Sequence, residues 1–327
     1  MTPFTVMREG PNIIGLRCTA FGYLNSLVHI VLFCVCYVMA LIHRESVTRY
    51  FFQTDISSLG DVLQMMTGIA ALVLTYFYTV FQRNKLIYAY NLLANTDEQF
   101  KDIGIEINYR KTLAYNYAIT FAQALILSIN CGVSIGITQF SDIHPGFTAW
   151  VSFFLPFIMI SLVILLFLCL VHQAKHRFYL LNKNLEYLRQ RSLEQKLFTR
   201  DKNPTTLKVV KPPGLSSTYS IGSNYLPDMI NRVARIQDEL CEACCCVEEY
   251  FKIQMLAIVT ISFLIIVFDS YYILETVFTE SYVHTTFSQI QFVVFFFCQA
   301  ILHAIGVFKI VYFSSAAAKE VGLKMFG

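Results

Sequence analysis

An all-α, polytopic membrane helix bundle of six spans with a cytosolic amino terminus is predicted by three observations: composition, six long apolar segments, and a one-sided distribution of Lys and Arg. Of the 327 residues, 56% are hydrophobic and only 14% are charged, and the mean hydropathy is +0.54. A soluble globule usually carries about a quarter charged residues. The 29 Phe and 19 Tyr against one Trp suit lipid contact and interfacial belts.

A helix needs about 20 apolar residues to cross a bilayer, and helices satisfy their own backbone groups within the lipid. Segments 20–42, 62–81, 113–137, 147–171, 253–274 and 286–308 meet that requirement. Pro156 is expected to kink the fourth. Lys and Arg number two before the first span, five between the second and third, thirteen between the fourth and fifth, and three at or after the end of the sixth. Only Arg44 and Arg49 fall on the other side, so the positive-inside rule puts the amino terminus in the cytosol. The first 18 residues show no cleavable leader, so the first span is expected to act as the insertion signal. The only Asn-x-Thr spelling, Asn203-Pro204-Thr205, contains the excluded proline.

These segments divide the chain into 1–171 (spans one to four), 172–252 (a cytosolic helical extension with a flexible linker near 200–225) and 253–327 (spans five and six with a cytosolic tail). The linker contains "PPGLSSTYSIGS", rich in Pro, Gly and Ser. Beyond it Leu226, Met229, Val233, Ile236, Leu240, Cys244, Val247 and Phe251 recur at spacings of three and four. That is one apolar stripe on a helix running into span five.

The same helix carries "CEACCC", residues 241–246. Cys241 and Cys244 have the spacing of half a zinc site, and His172 with His176, one helical turn apart, could supply the other half. The pairs are 65 residues apart and Cys244 belongs to the apolar stripe, so helix packing is the expected role. Cys245 and Cys246 lie close enough to the bilayer for palmitoylation. One histidine box is too few for a di-iron lipid oxidase, and Asp269 is the only acid within a span. No enzyme, metal or other cofactor is expected.

Polar residues within spans carry a functional expectation by default, and a small-molecule pocket needs aromatic walls with a few polar groups. With the orientation above, the outer half receives Trp150 and Phe153 from span four, Asp269, Tyr271 and Tyr272 from span five, and Gln289 and Gln291 from span six. These seven are the candidate ligand-binding residues. An interfacial aromatic belt is the alternative reading of the same residues.

The run from Arg232 to Glu275, with "IQDELC" followed by "YFKIQML", and the later "VYFSSAAAKE", resembles the insect gustatory receptors. The likeness is specific over residues 226–320 and rests on topology elsewhere. It implies a seven-helix receptor with an inside amino terminus, residing in the plasma membrane of sensory neurons. It further implies assembly as a homo- or hetero-tetramer, surrounded by membrane lipids, that works as a ligand-gated nonselective cation channel. The implied partner is a small-molecule tastant; nucleic acid is not among the expected partners. On that resemblance, residues 172–198 and 226–252 correspond to helices that anchor subunits together. The family's last span ends in Thr-Tyr, five apolar residues and Gln-Phe; "TFSQIQF" at 286–292 matches only superficially. The sequence is therefore expected to lack the pore helix. A G-protein-coupled receptor is disfavoured by the inside terminus, and a transporter by the absence of repeats and of broken mid-membrane helices.

Overall fold

The computed structural model describes residues 4–9, 12–18, 20–43, 55–140, 144–200, 225–278 and 289–322. Among the described residues, seven helices follow a short hairpin: α1 (Ala20–His43), α2 (Asp55–Phe81), α3 (Arg83–Asp102), α4 (Tyr109–Phe140), α5 (Phe147–Arg200), α6 (Tyr225–Phe278) and α7 (Gln289–Gly322). The all-helical bundle is as predicted. The hairpin was not: β1 (Phe4–Glu9) pairs antiparallel with β2 (Asn12–Cys18), with an irregularity between Met7 and Arg8. Between the strands the sequence reads Gly10-Pro11, a turn dipeptide.

Four described helical stretches are long and apolar enough to span a bilayer, within Tyr109–Phe140, Phe147–Gln190, Asp228–Leu274 and Val293–Val321. The apolar runs Leu27–Ala40 and Met66–Phe81 are shorter. Phe121, Ile129, Phe263, Phe297 and Phe308 stand exposed on the bundle's outside, a surface suited to lipid and costly in water.

Helices α5 and α6 each run 54 residues, roughly 80 Å at 1.5 Å per residue. A hydrocarbon core is about 30 Å thick, so both project far beyond it. Pro156 lies inside α5, which continues through it. Residues 201–224, most of the expected linker, lie outside the described residues. The projecting part of α6 buries Met229, Val233, Ile236, Leu240, Val247 and Phe251, the predicted stripe. Cys244 is half-buried along it, and Leu226 lies outside the described side chains.

Helix α3 had no counterpart in the sequence reading, which treated residues 82–112 only as a basic connection. Its Leu86, Ala89, Leu93, Thr96 and Phe100 are buried at spacings of three and four, and the four apolar ones join the core formed with α5 and α6. Beside this seam runs a polar one. Lys85 pairs with Glu249, the Tyr88 hydroxyl donates to Glu242 at 2.8 Å, and Asn95 and Gln99 both donate to Glu239 at 2.7–2.8 Å. Rising numbers on α3 meet falling numbers on α6, so the two helices zip antiparallel.

The turn after α3 requires its glycine. Gly104 has φ 77°, the left-handed region that a side chain disfavours. Its N–H bonds Lys101 O at 2.9 Å and the Ile105 N–H bonds Phe100 O at 2.8 Å, the paired bonds of a Schellman cap. Ile105 and Phe100 are both buried in the same cluster. Asn108 then caps α4, its Oδ1 accepting from the Lys111 N–H at 3.1 Å.

Candidate functional site

Far from the basic loops, α4, α5, α6 and α7 close on an aromatic cluster. Ile137, Ala149, Tyr272, Phe295 and Phe296 are buried there, with Trp150, Phe153 and Phe268 packed around them. The rings of Phe153 and Phe295 are stacked 6.0 Å apart, and those of Tyr272 and Phe296 are tilted at 5.3 Å. Such pairs add to the burial of their area. Helical periodicity explains the convergence: Ser262, Ile265, Asp269 and Tyr272 share one face of α6, while Phe296, Gln299 and His303 share one face of α7.

The polar side chains on those faces stand out. Asp269 is 0% exposed and neither carboxyl oxygen has a hydrogen-bond partner. Gln299 is 1% exposed and its amide is likewise unpaired. His303 Nδ1 lies 3.1 Å from Ser262 Oγ, and its ring packs 5.3 Å from Phe157; its Nε2 has no partner. A buried unmet polar group costs about 1–3 kcal/mol, more when charged. Three such groups on facing helices are exceptions that apolar packing does not account for.

Of the seven predicted residues, Trp150, Phe153 and Tyr272 come together in the cluster, and Asp269 precedes Tyr272 by one turn on the same face. Tyr271 turns away, 40% exposed, though its ring meets that of Tyr272 edge-on at 5.8 Å. Gln291 is half-buried near the start of α7. Gln289 opens α7, but its side chain lies outside those described. Sequence reading missed Ser262, Gln299 and His303. The available signal was their place inside apolar runs, at the helical spacing that puts them on the face of Asp269 or Phe296.

The other sequence candidates resolve differently. The His172 ring stacks on Tyr115 with centroids 3.7 Å apart, an α4–α5 contact. Among the described residues no group of three or more His, Cys, Asp and Glu is placed to hold a metal ion. Cys244 belongs to the projecting part of α6, ahead of the span beginning near residue 253. Burial first, then neighbouring Cys241 and Cys245, push its thiol up to about 12, so it packs as a neutral group. Cys245 is exposed on the other face.

Residues 1–322 match the 7tm chemosensory receptor family. The chain belongs to that family. Two Drosophila melanogaster relatives of this chemosensory receptor are described as putative gustatory receptors. Receptor 28b is 29% identical over 307 residues, covering 94% of this chain and 65% of its own length. Receptor 28a is 29% identical over 316 residues, covering 92% and 69%. The chain thus spans about two thirds of the length of these relatives. That family is one of multi-pass membrane chemosensory receptors, not of enzymes.

Proposed function

We propose that this chemosensory receptor is a gustatory subunit that binds a small tastant in the outer half of its bundle. The observation that carries the reading is Asp269, buried without a partner one helical turn before Tyr272, whose ring packs in the cluster with Phe295 and Phe296. A carboxyl group held in such a place gains most from a ligand that supplies its missing hydrogen bond. Trp150 and Phe153 furnish the opposite wall, with Tyr271 and Gln291 at the rim. Because Asp269 and Tyr272 are closed off, binding requires α6 and α7 to part. That movement is the means by which ligand binding would gate a cation pore in a homo- or hetero-tetramer at the plasma membrane of sensory neurons.

Calcium imaging tests this in cells expressing the chain, alone and with a longer member of the family, exposed to a panel of nonvolatile compounds. Responses are expected, and Asp269→Asn and Tyr272→Ala should each shift the half-maximal concentration at least tenfold while surface expression is kept. Unchanged responses in both variants would remove these residues from the pocket. An extracellular epitope tag detected at the amino terminus would overturn the orientation.

A further inference from the structure

A cavity of about 290 Å³ lies away from the Asp269 cluster, between α2, α5 and α6. Its inner part is bounded by Leu72 and Met159, which pack with Phe33 and Tyr37 of α1. Its mouth is bordered by Leu162, 38% exposed on the outside of α5. Leu162 lies within an apolar spanning segment, so the mouth meets lipid rather than water. Leu72 and Thr79 both line it, seven residues apart on α2, so it extends about 10 Å along the helix.

Most of the wall's surface is apolar, but one end is polar. Thr79, Tyr250 and Gln254 line it together, with the Tyr250 hydroxyl close to both other side chains. The Thr79 hydroxyl is already committed, donating to Thr75 O at 2.7 Å. Gln254 is different. It is 1% exposed, it lines the cavity, and its Nε2 has no hydrogen-bond partner of proper geometry. A buried amide donor left unmet beside empty space is satisfied by an acceptor entering that space.

We infer that this cavity is a lipid-accessible binding site for a small uncharged amphiphile whose single carbonyl accepts from Gln254 Nε2 while its hydrocarbon lies along Leu72, Met159 and Leu162. An anion is disfavoured because no Lys or Arg lines the wall, and a cation because no Asp or Glu does. The volume stands at the lower end of the range for ligand pockets, so it takes one short chain and its carbonyl, not a whole phospholipid. Both an ester carbonyl of a neighbouring lipid and a free fatty ester or ketone have this chemistry. The site is separate from the Asp269 cluster and does not depend on it.

The test is photolabelling of the full chain in lipid nanodiscs with a ten-carbon fatty methyl ester carrying a diazirine and a terminal alkyne. Saturable labelling is expected on peptides containing Leu72–Thr79 and Met159–Leu166, competed by the unlabelled ester. Gln254→Leu should reduce it at least fivefold by removing the donor. Leu162→Trp should do the same by filling the mouth from the exposed side, where the core is undisturbed. Stronger labelling in ether-linked than in ester-linked lipids would identify a lipid ester as the competing natural occupant; equal labelling would identify a free amphiphile. Unsaturable labelling, or labelling equal in wild type, Gln254→Leu and Leu162→Trp, overturns the proposal. Retained melting temperature in Leu162→Trp separates lost binding from lost folding.

Discussion

The pair that fastens α3 to α5 offers a demanding test of the packing described above. Arg177 grips Asp97 with two bonds, Nε to Oδ1 at 2.7 Å and Nη2 to Oδ2 at 2.8 Å. The Tyr109 hydroxyl donates to the same carboxylate at 3.0 Å, and Arg177 Nη1 donates to Gln173 O at 3.1 Å. The two side chains are only 9% and 12% exposed. Replacing Arg177 by Met removes the charge but keeps much of the stem, leaving Asp97 with Tyr109 alone. Breaking a buried pair from one side costs about 3–5 kcal/mol, whereas replacing both members by uncharged groups costs far less. Arg177→Met and Asp97→Asn should therefore each lower the melting temperature by roughly 5–10 °C. The double variant should be no worse than the poorer single one, a coupling of at least about 3 kcal/mol. Thermal melts of detergent-solubilised protein, followed by size-exclusion fluorescence, provide the measurement. Additive losses, with coupling within about 0.5 kcal/mol of zero, would refute the reasoning.

Gly104→Ala should destabilise by about 1 kcal/mol because φ 77° carries a cost for any side chain, read in the same melt. Glu239→Ala, which strips the partner from both Asn95 and Gln99, should cost about 1–2 kcal/mol. Glu249→Ala should be nearly neutral, since its pair with Lys85 is exposed. Thiol labelling at pH 8 of variants retaining one cysteine each should modify exposed Cys245 within minutes and leave Cys244 unmodified until detergent denaturation. The Cys244 thiol, raised to about 12, is almost wholly protonated at that pH, and the thiolate is the reactive form. Rapid labelling of native Cys244 would place it on a different face of α6.

Much of the architecture was legible in local pattern. Apolar run length identifies the spanning segments because a bilayer fixes the length of helix it can bury. The stripe from Met229 to Phe251 announced its buried face because the helical repeat is regular. Helix α3 escaped because its polar composition resembles a loop; its apolar face becomes apparent only against α6, and its end is marked only by the turn at Gly104. The candidate site was legible in part for a similar reason. Asp269 is conspicuous as the one acid in a span, while Gln299, His303 and Gln254 look unremarkable until their burial and missing partners are seen.

The sequence by itself determined membrane residence, the helical class and the apolar stripes, all of which depend on composition and short-range periodicity. Which faces meet was decided by tertiary structure. The rotation of each helix about its axis is set by side-chain packing between segments far apart in the chain. That packing put Trp150, Phe153 and Tyr272 together, turned Tyr271 outward, closed Asp269 away from any partner, and left space beside Gln254.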